Sequence, residues 1–456
     1  NTNTPNPSGG LIERDGHGRA TGMLIAKPSA LILYSTLAKG PSLPKEYQYN
    51  SSRQFMRELN RLGVTSVIDA GGGGQQYPDD YDVINALHKN DELTVRIAYN
   101  LFAQKKGEEF SDYQNWVEYL NYGDGDDVLR LNGAGENLAW SAADFENFLE
   151  PRPDLPVITE SELEQIVSLL VSHRWPFRIH ATYDETITRF LNVFERVNEK
   201  QPFDGLRFII GHAETISEAN IERIKMLGGG IAIQHRMAFQ GEYFVEQYGQ
   251  TAAQQTPPIK KMLEAGVPVG AGTDATRVAS YNPWVALYWL ISGKTLGGTT
   301  LYDADNTLDR ETALYLWTKG SSWFSGEDDV KGTLEPGAYA DLAVLSDDLM
   351  SIDQEAIKSL QSVLTLMNGN IVYASDEFSS FNPPIPPAMP EWSPVNKFGG
   401  YYGFRPVTSE QRRLATQQCC DSACSVHGHD HMIAWQTPIP IPDNAKNAFW
   451  GAIGCS

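Results

Sequence analysis

A chain of 456 residues can bury a large core and has room for more than one domain. Its 41% hydrophobic and 20% charged residues are ordinary for a globular protein. A net charge of −21 argues against nucleic acid and anionic membrane surfaces as partners, and no apolar run reaches membrane-spanning length.

Residues 1–50 are polar and turn-rich. The start, Asn1 to Gly10, has neither an initiator methionine nor a signal-peptide pattern, which suggests processing or trimming. Gly10 to Gly16 and Gly18 to Ile25 predict a hairpin turning at Asp15-Gly16. Phe55, Met56, Leu59 and Leu62 then recur at helical spacing. Thr65 to Ala70 reads as a strand closed by the glycine run Gly71 to Gly74. No helix pattern opens directly after that run, so it reads as a flexible loop and not as a dinucleotide fingerprint.

The alternation continues with a helix over Tyr81–Leu87, a strand over Leu93–Leu101, a helix over Tyr113–Leu120 and a strand over Asp127–Asn132. Gly133 to Glu136 is the loop that follows. Glu160–Ser172 predicts a helix, with Thr159 and Glu162 as a capping box. Strands over Phe177–His180, Arg207–His212, Gly230–His235 and Val267–Gly272 are separated by helices over Glu185–Asn198, Ser217–Leu227 and Ile259–Glu264. Strands spaced by helices mean a parallel sheet. The strand ends Ala70, Asn100, Asn132, His180, His212, Gln234 and Asp274 number seven, whereas a closed barrel of this type takes eight. The expected fold is therefore α/β, a (β/α)8 TIM-type barrel over residues 1–325 whose first strand is absent from this chain.

After residue 310 the texture changes. A helix over Thr312–Lys319 precedes a turn and strand over Gly332–Leu345, then a hairpin over Val363–Tyr373 around Asn368-Gly369. Residues 326–376 read as a small flanking β-sandwich module, and 377–456 as an irregular C-terminal extension. All the cysteines, Cys419, Cys420, Cys424 and Cys455, lie in that extension, beside His427, His429 and His431. They read first as a solvated, disulfide-bonded tail, which would lean toward an extracytoplasmic location, and second as a metal site.

Three strands each deliver a metal-type ligand at the C-terminal end: His180, His212 and Asp274. That pattern belongs to the catalytic face of a barrel. For Asp274 the bland reading is an N-cap on the next helix.

These residues resemble the amidohydrolase superfamily, and within it the family-3, YtcJ-like branch, from about Gly10 to Ala374. Four stretches carry the resemblance: Gly10 to Leu24, His180-Ala-Thr-Tyr-Asp184, Gly211-His212-Ala with Gly272-Thr-Asp274, and Gly332 to Leu345. The resemblance implies a metal-dependent hydrolase that cleaves a C–N bond, amide or cyclic amide, with water activated on one or two divalent ions, expected to be zinc. By resemblance His180, His212 and Asp274 would hold metal. Asp274 would also act as general base, with His212 as a hydrogen-bonding electrophile. Arg130, Glu136, Gln234, His235 and Arg236 would face a small-molecule substrate. The family's first strand ends in His-x-His, which this chain lacks before Gly10, and Arg130 stands where the family commonly carries a metal-bridging lysine. Arginine stays protonated and cannot bridge metals, and Glu136 is the nearby group that could substitute. The departures admit a catalytically silent barrel, or a separate, cleaved N-terminal polypeptide that completes the fold. A homodimer is compatible with the sequence.

Overall fold

The computed structural model describes residues 4–6, 10–26, 43–71, 76–103, 105–144, 148, 151–276, 278–391 and 393. The chain divides into two compact units, Asn1–Pro384 and Ile385–Ser456. The cysteine and histidine cluster of residues 419–455 and the glycines Gly72 to Gly74 lie outside the described residues.

The N-terminal hairpin forms as the sequence predicts. Strand β1 (Gly10–Arg14) pairs antiparallel with β2 (Ala20–Ala26). The main sheet has seven parallel strands in sequence order: β3 (Ser66–Asp69), β4 (Arg96–Leu101), β5 (Leu129–Ala134), β6 (Phe177–Ala181), β7 (Phe208–His212), β8 (Gly230–Gln234) and β9 (Val269–Gly272). Every neighbouring pair is parallel, and helices lie between consecutive strands. This is the curled, helix-flanked sheet of a TIM-type barrel. A second sheet, antiparallel, joins β10 (Leu342–Leu345), β11 (Ser362–Met367) and β12 (Asn370–Ala374). Asn368 and Gly369 both take positive φ, 53° and 75°, as a two-residue hairpin turn needs. This sheet docks on the helix Lys45–Arg61, where the Thr365 hydroxyl donates to the Asn60 carbonyl at 2.6 Å.

One local expectation changes. The helix starts at Thr159, so Thr159 does not cap it; its hydroxyl donates to the Ser141 carbonyl at 2.7 Å. Glu162 accepts from the Ser141 hydroxyl at 2.5 Å. The capping pair is thus spent on holding the turn at residues 140–142.

The outer face of the sheet packs against helices through aromatic residues. Phe208 is fully buried and meets Phe177, Phe194 and Phe203 at ring-centroid distances of 5.8, 5.2 and 5.7 Å. Phe208→Ala should cost about 3–5 kcal/mol, read as a lower denaturant midpoint. An unchanged midpoint would show that this cluster does not anchor β6 and β7.

The inner face is layered. Ile68, Ile209 and Ala232 pack with Trp323 and Phe324 as an apolar floor. Gly230 and Gly270 make room for it: a Cβ on Gly230 would lie 2.5 Å from Trp323, and one on Gly270 2.6 Å from Phe324. Strand side chains alternate faces, so Arg178 and His180 of β6 point the same way, His180 one layer nearer the C-terminal end of the strand.

Candidate metal centre

Three side chains converge at the C-terminal ends of adjacent strands. Glu136 lies two residues past β5, His180 is the penultimate residue of β6, and His212 ends β7. One donor atom from each fits within a 4.8 Å cluster, and all three residues are buried. His180 Nδ1 is 3.8 Å from Glu136 Oε1, and His212 Nε2 is 3.8 Å from Glu136 Oε2. The two imidazole rings are 4.0 Å apart between centroids.

The backbone explains the convergence. Beyond β5 the chain stays tied to its neighbours: Gly135 N–H donates to the Leu101 carbonyl at 2.5 Å and Glu136 N–H to the Ala70 carbonyl at 2.9 Å. His180 N–H donates to the Glu136 carbonyl at 2.7 Å. Gly135 is needed there, since a Cβ would sit 2.9 Å from the Leu101 oxygen. At the end of β7, His212 and Ala213 take φ of 77° and 54°, in the sparsely populated left-handed region. That turn lies where the imidazole joins the cluster.

The electrostatics suit a cation. Burial alone would raise the Glu136 carboxyl, but His180 and His212 hold it well below the usual carboxylate range. Neither ring nitrogen of His212 has a hydrogen-bond partner among the described residues, although the ring is 1% exposed. Buried, unused imidazole nitrogens beside a carboxylate are the donor set of a zinc-type site. The residues present therefore fit a divalent ion, with three ligands from the chain.

Asp274 sits elsewhere in the same region and is not in the three-residue group. Its Oδ2 accepts from Arg236 Nη2 at 2.5 Å, and it has φ 53°. The cap reading does not hold: the next helix, Pro283–Ser292, is capped by Asn282, whose side chain accepts from Trp284 N–H. Arg236 is buried and also lies 3.8 Å from Glu214, which in turn is 3.9 Å from His212 Nδ1. Gln234 ends β8, and its Oε1 is buried without a hydrogen-bond partner among the described residues.

Arg130 does not face the mouth. It belongs to the floor, where Nη2 donates to the Ser325 carbonyl and lies 3.9 Å from Glu327. Glu327 also pairs with Lys331. A charge placed early on a strand ends up deep in the barrel, away from an entering substrate.

His235 is fully buried and packs on Phe239 with ring centroids 5.3 Å apart. Burial pushes its imidazole down to about 4, a Gly272 backbone contact opposes this, and Arg236 adds to it. The unfolded chain therefore takes up a proton at pH values where the folded chain does not. The stability from the neutral ring is whole above the unfolded value of 6.5 and is lost as pH falls toward about 4. The full loss is about 3 kcal/mol. Burial pushes Asp144 up to about 7, so its contribution is lost as pH rises, with the opposite sign. The difference between wild type and His235→Phe isolates the histidine: the variant should lose about 3 kcal/mol less across this window. Parallel stability curves would refute the assignment.

Three further residues of the centre escape sequence reading. Arg178 is buried inside the sheet, its guanidinium lowered by burial and pulled back up by Glu136, Asp274 and Asp69. It was findable as the same-face neighbour two residues before His180. Glu214 follows His212 by two residues past a strand end, where alternation no longer applies. Asp144 lies in a loop, and no periodicity points to it.

The amidohydrolase family profile matches residues 1–373. The chain is 24% identical over 387 residues to the putative amidohydrolase YtcJ of Bacillus subtilis, spanning 81% of this chain and 69% of the relative. It is 22% identical over 387 residues to the N-substituted formamide deformylase of Arthrobacter pascens, spanning 81% and 68%. Its fold is similar to that of an uncharacterized metal-dependent hydrolase from Pyrococcus horikoshii, with TM-score 0.57, 20% identity, and 78% and 69% of the two chains covered. It is also similar to atrazine chlorohydrolase TrzN from Arthrobacter aurescens, solved with zinc, with TM-score 0.50, 16% identity, and 75% and 77% covered. With the profile spanning most of the chain and the strand-end cluster in place, this protein belongs to the amidohydrolase family.

Proposed function

We propose that this chain hydrolyses a C–N bond, amide or cyclic amide, in a small molecule, with one divalent ion held by Glu136, His180 and His212. The observation that carries the reading is the meeting of these three donors at the ends of three adjacent parallel strands. Two imidazoles and a carboxylate match the ligand preferences of zinc and leave a coordination position open. An ion bound there would supply Lewis acidity and lower the pKa of water.

The chain's own groups do the remaining work. Asp274 keeps one oxygen on Arg236, and its other oxygen carries no hydrogen bond among the described residues. That free oxygen takes the proton from the attacking water and delivers it to the leaving nitrogen. Arg236 fixes the carboxylate's direction, so Arg236 acts through Asp274 and not as a substrate contact. The Gln234 Oε1, buried and unused, can accept an N–H from an amide substrate. The relative that acts on N-substituted formamides supports an acylated amine as substrate class. No described helix is long and apolar enough to cross a membrane.

The test is elemental analysis of purified protein together with hydrolysis assays on acylated amines and cyclic amides. About one zinc per chain, with chelator-sensitive release of amine, is expected. No metal, and none taken up on adding zinc, overturns the reading. Intact mass measured on the same sample shows whether a second polypeptide accompanies the chain.

A further inference from the structure

We propose that Arg178 is the built-in second cation of the metal centre: its permanent charge, one layer below His180, stands in for a second ion, so that the centre takes one divalent ion and not two. The inference rests on the metal-centre reading above and gives a physical reason for its single ion.

The layers of the sheet place the charge. In the parallel register His180 stands beside Gly211, and Arg178 stands beside Ile209. Gly211 carries no side chain, and a Cβ there would lie 3.8 Å from Glu136 Oε2. The Glu136 carboxylate therefore fills the layer of His180 and Gly211. Arg178 enters from the layer directly beneath, where Ile209 joins the apolar floor with Phe324. A centre of two ions needs a bridging group and further donors on its second side. Glu136 could bridge, with its two oxygens toward different histidines. Asp274 could serve the second side, but its Oδ2 already accepts from Arg236.

Arg178 is not spent on holding the fold. It is 5% exposed, and its Nε is buried with no hydrogen-bond partner among the described residues. A guanidinium kept for structure forks onto carboxylates, as Arg96 does onto Asp341 and Asp127 at 2.6 Å each. Arg178 instead acts through its charge, attracted by Glu136, Asp274 and Asp69. Arginine stays protonated, so that charge is permanent. A first ion meets a carboxylate and two imidazoles that outweigh the repulsion. A second would meet the first ion and the guanidinium together, in surroundings that screen charge poorly.

Arg178→Met and Arg178→Gln remove the charge and keep much of the volume. Zinc affinity, titrated against a competing chelator, should rise about tenfold or more in both, because a like charge leaves a poorly screened site. Loss of a merely structural arginine would lower the melting temperature and leave affinity unchanged or reduced. Unchanged or weaker binding in either folded variant overturns the inference. If neither variant folds, the number of ions in the wild-type protein decides. Zinc content at saturation is measured on wild type and on His212→Ala, so that ions on other histidines cancel in the difference. A difference of about one ion per chain supports the inference. A difference of about two overturns it and leaves the metal-centre reading standing. Failure of wild type to bind zinc at all is a separate outcome, and it removes the metal-centre reading together with the inference.

Discussion

Glu136→Gln should weaken zinc binding on the order of 100-fold or more, beyond the 10–100-fold loss typical of an outer-shell partner. The substitution keeps the shape and removes the charge. Glu136 is the anionic donor of the three-residue group, with each of its oxygens 3.8 Å from a nitrogen of a different histidine. A divalent ion placed among buried groups needs that charge, because the low-polarity surroundings strengthen both the attraction of a carboxylate and the cost of lacking one. Arg178 sharpens the requirement: a buried guanidinium that interacts with Glu136 from inside the sheet would repel a bare cation. A loss of 100-fold corresponds to about 2.7 kcal/mol. Chelator-competition titration of both proteins gives the number. Equal affinities would show that Glu136 faces substrate and does not hold metal.

The same residue shows where sequence reasoning reaches its limit. The strand ends at His180 and His212 are legible because runs of apolar and β-branched residues stop sharply at a histidine, and the alternation with helices fixes which end is which. Glu136 stands past the last residue of β5, in a stretch that reads as loop. What carries it into the site is a register shift between β4 and β5, with Tyr99 opposite Leu131 but Asn100 opposite Gly133, and the continued hydrogen bonding of Gly135 and Glu136 to the neighbouring strand ends. Neither feature leaves a mark in the pattern of side chains. Arg130 is the converse case. Its strand was visible, but its depth was not, and the floor made by Trp323 and Phe324 arrives from nearly two hundred residues away. Asp144 illustrates a third kind of blindness: its whole significance lies in contacts with Thr182, Tyr183 and His180, a different βα turn.

Asp274→Asn should reduce turnover about 100- to 10,000-fold while zinc content and affinity stay close to wild type. On the proposed reading, the two roles that a strand-end aspartate can combine fall on different residues. Its carboxylate oxygen lies 2.5 Å from Arg236 and outside the cluster of Glu136, His180 and His212. It is 20% exposed, where Glu136 is 11% and Glu214 1%. On this reading, a partly exposed carboxylate near a buried ligand set can exchange protons with water and a leaving amine. The asparagine still fills the space and can accept a hydrogen bond from Arg236, but it cannot take up the proton. The fold should tolerate the change, since Arg236 keeps Glu214 at 3.8 Å as a counter-charge. Turnover measured at saturating zinc, with bound metal counted on the same sample, reads both quantities. Loss of metal together with turnover would make Asp274 a ligand, and turnover at the wild-type rate would remove it from the proton path.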